Sequence, residues 1–237
     1  MLRRTLLAVV LLGAVTLAGC TAAPVAAPLA APVAVPVAGP APTGDGTLSI
    51  GTLFPMTGVN AASGAAQVAG AEVALRDILA GQAAPFQPVQ LIHRNSAGDL
   101  AASYADLVAR GVDLVLWDAT TALPTDAEGS VGNAAIVALS DFANGGTPLA
   151  ADEAFTARLT TADPGIAATA GGAEAYDGVV TAALAAAITG DDGGASIEAG
   201  WPQVTAGSAV CTSWGECVLA LAETGNIDYQ GITGRRS

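Results

Sequence analysis

Lysine is absent from this chain, histidine occurs once, at His93, and aromatic residues make up 4% of it. Each shortage excludes something. All eight basic residues are arginines, and against 21 acidic residues they leave a formal charge of −13. No stretch supplies the basic patch that a phosphate backbone requires, so nucleic acid is not an expected partner. The same charge gives no reason for adhesion to anionic lipid. A lone histidine is a poor basis for a Ser-His-Asp arrangement or a tetrahedral metal site, and Gly129-Ser130-Val131-Gly132 lacks the spacing of a nucleophile elbow. No glycine-rich phosphate loop follows a strand in the required form. The chain therefore reads as non-catalytic, with no cofactor and no metal expected. Disorder is not expected either, because the hydrophobic fraction is 52% and periodic stretches are present.

What is there begins with a short basic start, Met1-Leu2-Arg3-Arg4, an apolar run from Leu6 to Ala18, and then Gly19-Cys20. That order is a secretory signal. The run falls short of the about 20 residues a spanning helix needs, and small residues follow it. Leu17-Ala18-Gly19-Cys20 resembles the lipobox of bacterial lipoproteins, in which the cysteine is acylated and the signal (1–19) is cut before it. Lipidation at Cys20 and attachment to the outer face of the cell membrane are the expectation. An ordinary cleaved signal with a chance cysteine is the alternative. Residues 20–44 hold the cysteine and an Ala/Pro/Val-rich linker with too many prolines for a helix or central strand. At about 3.1 Å per residue in a polyproline-like state, it would hold a domain several tens of Å from the lipid.

With Cys20 assigned to lipid, Cys211 and Cys217 form a pair in an oxidising compartment, and a disulfide is expected. A metal site is the poorer alternative, since His93 has no second Cys pair to join.

From Asp45 the texture alternates. Thr47–Phe54 reads as a buried strand, Pro55–Gly58 as a turn, and Ser63–Leu79 as a helix with Ser63 placed to cap, Glu72 and Arg76 on one face, and Gly81 as the stop. Pro88–His93 reads as a strand, Asp99–Arg110 as a helix, Val112–Trp117 as a strand, Asp126–Asn133 as a short helix and Ala134–Leu139 as a strand. Short connections between alternating strands and helices predict an α/β fold with a doubly wound, Rossmann-like parallel sheet and right-handed crossovers. Ligands of such sheets sit beyond the carboxyl ends of the strands, here after Phe54, His93, Trp117 and Leu139. His93 itself reads as a surface or hydrogen-bonded residue, Trp117 as core, and Asp191 and Asp192 as solvated charge in a Gly-rich turn.

Ile50–Gly58, Ala61–Gly64 and Gly70–Ala74 together resemble the opening of the type I substrate-binding proteins of ABC importers, the branched-chain amino acid receptor family. Gly111–Trp117 resembles the family's third strand, and Phe155–Pro164 the strand and turn by which the chain leaves the first lobe. Glu174–Val180 is similar to its late helix, and Ile227–Gly234 to its "DYQG-(S/T)-G" segment. Five pieces occur in the family's order.

The resemblance implies a lobe spanning 45–237, made of a first segment (45–165) and a returning segment (172–237). The family's second lobe would lie between Pro164 and Tyr176, where about a dozen residues stand, and the chain stops at Arg235-Arg236-Ser237 where the family continues into a further strand. What it implies about function is a solute-binding lipoprotein that passes amino acids, or related small polar solutes, to an ABC permease. The implied ligand positions are Ser63, Asp118, Thr120, Thr121, Ala143 and Asn144. Thr120 and Thr121 would donate to a carboxylate, and Ala143 and Asn144 would give backbone groups or an amide. Asp118 departs from the family's small or polar residue and points to an ammonium or hydroxyl instead. Helix capping is the competing role for Ser63, Thr120 and Thr121. A shortened relative acting as a non-transporting surface lipoprotein or interaction module is the second reading of the whole chain.

Overall fold

A computed structural model describes residues 39–81, 88–120, 122–123, 134–143 and 151–234. The expected signal, Cys20, most of the expected linker, Thr121, Asn144 and the expected helix at Asp126–Asn133, with its Gly129–Gly132 run, lie outside the described residues.

Four strands make a wholly parallel sheet in the order β2-β1-β3-β4: β1 (Leu48–Phe54), β2 (Val89–Asn95), β3 (Leu114–Trp117) and β4 (Ala135–Ala138). β1 is buried along its whole length, as expected of a central strand covered on both faces. Its pleat divides the core. Leu48, Ile50 and Phe54 join the larger apolar cluster on one face, while Leu53 joins Leu100, Tyr104, Leu107, Val112 and Val115 on the other. The fold class expected from the alternating pattern is the one observed.

α1 (Ala61–Ala80) starts two residues before the sequence reading placed it. Ser63 is therefore inside the first turn and does not cap it. The N-cap is Asn60, which makes no side-chain cap bond, and the Ser63 hydroxyl instead donates to the Ala170 carbonyl at 3.2 Å. α2 (Leu100–Ala109) covers the other face and begins as expected, with the Asp99 carboxylate accepting from Ala102 N–H. β2 runs on to Asn95, so His93 lies within the strand and not at its end.

Phe155–Pro164 is largely helical, which corrects the expected strand: α3 spans Glu153–Ala162. Asp152 caps it by accepting from Phe155 N–H at 2.7 Å, and Phe155 and Leu159, one turn apart, are its buried pair. A turn at Pro164 does follow. α4 (Gly172–Thr189) is the late helix, buried from Gly172 to Ala186 and packed along α1. The two helices meet at Gly70, where a Cβ would lie 2.0 Å from the Gly172 carbonyl oxygen. Larger residues would force them apart.

Beyond α4 come a short helix α5 (Gly194–Gly200), strand β5 (Val210–Cys211), α6 (Trp214–Thr224) and strand β6 (Asp228–Tyr229), with β5 and β6 forming a small parallel pair that the sequence did not announce. Cys211 and Cys217 are joined by a disulfide. The last described segment is fastened to α4 through Asp177. Its Oδ1 accepts from Tyr229 O–H and Ile232 N–H, and its Oδ2 from Thr233 N–H and the Thr233 hydroxyl, at 2.6 to 3.0 Å.

Asp191 and Asp192 are not solvated charge. Both are buried, because backbone N–H groups almost 150 residues upstream turn toward them. Thr43 and Gly44 donate to Asp191, and Gly46 donates to Asp192. Burial raises the Asp191 carboxyl, but bonds from Ser196, Gly44, Thr43 and Gly193 outweigh it and leave the group below its ordinary range. Nearby, at the amino end of β3, Asp113 accepts from Ser49 N–H at 2.8 Å. Burial, reinforced by the charges of Asp192, Asp45 and Asp191, pushes this carboxyl up to about 7 against the pull of that bond.

Candidate functional site

The chain passes from β1 outward to β2 and then returns to place β3 on the other side of β1. Beside that reversal, beyond the carboxyl ends of β3 and β4, lies a cavity of about 210 Å³. Four elements wall it. The turn after β3 contributes Asp118, Ala119 and Thr120, and the 3-10 turn after β4 contributes Leu139, Ser140 and the following Ala143. Gln67 from the second turn of α1 and Gly171 and Glu174 at the start of α4 complete it.

Of the positions nominated from sequence, Asp118, Thr120 and Ala143 line this one cavity. Ser63 does not line it. Its hydroxyl is engaged with Ala170, just before the turn into α4. Thr121 and Asn144 lie outside the described residues. The junction between the two sequence segments supplies Gly171 as a wall and leaves the cavity open.

The polar groups are deeply set. Asp118 is 8% exposed, Gln67 5% and Glu174 1%. Asp118 Oδ2 accepts from the Thr120 hydroxyl at 2.6 Å, so the proton that was expected to serve a ligand carboxylate is directed at Asp118. Gln67 Oε1 has no hydrogen-bond partner among the described residues, while the Asp118 carboxyl is also drawn on by the Ser96 hydroxyl. Burial lifts the Asp118 carboxyl above its ordinary range, with the Thr120 hydroxyl pulling against it. Glu174 sits in the first turn of α4, where the helix dipole favours negative charge.

Two backbone features hold this arrangement. Ala119 has φ 61°, the single positive value for a non-glycine among the described residues. A left-handed alanine costs about 1–2 kcal/mol, and here it turns the chain between Asp118 and Thr120. Gly171 has φ 88°, and a Cβ there would lie 2.9 Å from Gln67 Cγ, so the glycine lets the Gln67 side chain lie across it.

Gln67, Gly171 and Glu174 were not nominated from sequence. A signal for Gln67 existed: it stands one helical turn after Ser63, a polar residue in a stretch of Ala, Val and Gly. Glu174 had none beyond its place at a helix start.

His93 joins a second polar chain away from this cavity. Its Nδ1 is 2.7 Å from Thr52 Oγ1, and its Nε2 is 3.2 Å from Glu72 Oε1. Thr52 is wholly buried in mid-strand, so this hydroxyl has no access to a substrate, and the chain of contacts ties β1 and β2 to α1. A larger, mostly apolar cavity of about 310 Å³ lies between the start of α1 and the end of α3, with Glu72 at its edge. Among the described residues no group of three or more His, Cys, Asp or Glu is arranged to hold a metal, and no helix is long and apolar enough to cross a membrane.

Neither a family model nor a curated protein sequence matches the chain.

Proposed function

We propose that this protein is a lipid-anchored solute-binding component of an ABC importer, capturing small polar solutes of amino acid type outside the membrane and passing them to a permease. The observation that carries the reading is the coincidence of place. Three positions nominated from sequence line one cavity at the carboxyl edge of a parallel sheet, next to the point where strand order reverses. The lipobox-like Leu17–Cys20 supports the anchor.

Calorimetric titration of the full chain with amino acids, their amides and urea-like solutes tests the first half. Saturable binding at micromolar to millimolar concentrations is expected, and silence across the panel would remove the transport role. Labelling with a radioactive fatty acid tests the second half, with incorporation expected in the parent protein and lost in Cys20→Ala.

The non-transporting reading is favoured by one observation, that the described residues form one four-stranded parallel sheet with its helices, where the resembling family closes two such lobes on a ligand. A receptor of that kind excludes water by closure.

A further inference from the structure

At the amino ends of the strands, the segment leading into β1 and the turn between α4 and α5 are shaped to each other. Gly193 N–H and the Ser196 hydroxyl hold the Asp191 carboxylate from within the turn, and Thr43 and Gly44 N–H reach it from the other side at 3.2 and 3.0 Å. Asp192 takes Gly46 N–H at 3.3 Å. Two glycines permit so close an approach. A Cβ on Gly44 would lie 1.7 Å from Asp192 Oδ1, and one on Gly193 would lie 2.2 Å from Thr43 Oγ1. This clasp of backbone on carboxylate is crowded with like charge. Asp45 is exposed and sits between Gly44 and Gly46, while Asp113 is joined to the start of β1 through Ser49 N–H. The charges acting most strongly on Asp113 are those of Asp192, Asp45 and Asp191, all negative. From β2 the contact is neutral, Gln90 Nε2 donating to Ser49 Oγ, and residues 82–87, before that strand, hold no charged side chain. Asp192 Oδ2 is buried with no hydrogen-bond partner among the described residues.

We propose that this clasp is a pH-sensitive latch: while Asp113 is neutral it keeps residues 43–46 on the α4–α5 turn, and ionisation of Asp113 lets them go. Release takes Asp45 away and admits water to Asp113, Asp191 and Asp192. The released state therefore tolerates a further negative charge better than the clasped one. In the clasped state the Asp113 carboxyl is pushed up to about 7, against an ordinary value of about 4. Its contribution to closure is thus fully present below about pH 4 and is lost as pH rises through about 7. For each pH unit by which release lowers that value, the released fraction rises about tenfold over this interval. The latch stands whether or not the cavity beyond β3 and β4 takes a solute.

Hydrogen exchange in the full chain, read at the Gly44 and Gly46 amides at pH 5 and pH 8 and corrected for intrinsic rates, tests the latch. Protection of both is expected to fall about tenfold or more between the two conditions. Ala102 N–H, which donates to the Asp99 carboxylate at the start of α2, is a matched reference and should not change. Asp113→Asn should keep Gly44 and Gly46 protected at pH 8, whereas Gly44→Ala should leave Gly46 unprotected at both values. Should Asp113→Asn fail to fold, Asp45→Asn, on the exposed segment, carries the test by shrinking the fall. Equal protection at the two pH values, a fall in either Asp variant as large as the parent's, or an equal fall at Ala102 would overturn the latch.

Discussion

Replacing Asp177 with asparagine isolates the contribution of a single buried oxygen. Each carboxylate oxygen accepts one backbone N–H and one hydroxyl: Ile232 N–H and Tyr229 O–H at Oδ1, Thr233 N–H and the Thr233 hydroxyl at Oδ2. Whichever way the new amide is turned, its NH₂ group faces one hydroxyl and one backbone N–H. A hydroxyl can rotate to accept, but the backbone donor cannot, so one N–H is left without a partner. The remaining bonds also lose the assistance of a full negative charge. Leaving one buried donor unsatisfied costs about 2–3 kcal/mol. For a domain of this size that is a fall in Tm of roughly 5–10 °C. Urea denaturation followed by circular dichroism should show the midpoint of Asp177→Asn lowered with an unchanged slope, since the area exposed on unfolding does not change. A midpoint equal to the parent's would mean that the returning segment is held by its apolar contacts, and the reasoning about Asp177 would be wrong.

Asp113 predicts a pH effect of definite sign. Its folded value, about 7, lies above its unfolded value, so folding takes up a proton and stability should fall as pH rises from about 4 through about 7. Because the group is only half-buried, solvent screening reduces the effect to about 2 kcal/mol at most. Asp113→Asn, whose carbonyl can still accept from Ser49, should be more stable than the parent at pH 8 and equal to it near pH 4. A parallel pair of stability curves would exclude the assignment. Ala119→Gly should raise stability by about 1 kcal/mol by relieving the left-handed backbone, measurable as a shift in denaturation midpoint. Breaking the Cys211–Cys217 bridge with Cys211→Ser should cost about 2 kcal/mol, since the loop it closes is short. An unaltered melting temperature would show that the unfolded chain gains no freedom from the cut.

Much of the sheet was legible because its signals are local. β1 is a mainly apolar run, Asp99 caps α2 through its own side chain, and Gly81 ends α1 where a Cβ would lie 2.6 Å from Trp214 Nε1. α3 differs from the expected strand because its amphipathic signal is small, resting on Phe155 and Leu159, and its start is marked by the Asp152 cap alone. Asp191 and Asp192 were misread for a different reason. Their partners, Thr43, Gly44 and Gly46, are backbone groups far away in the chain, and no spacing encodes them. The same limit applies to the cavity. The strand-tip positions Asp118, Thr120 and Ala143 follow from the topology, whereas Gln67 and Glu174 enter through the packing of α1 against α4.

The grip of Asp191 and Asp192 on Thr43, Gly44 and Gly46 fixes where the chain enters the domain. That point neighbours Asp113 and Ser49, at the amino ends of the strands, whereas the cavity opens at the opposite pole. A load on residues 43–46 is thus met at the floor of the sheet and bypasses the mouth.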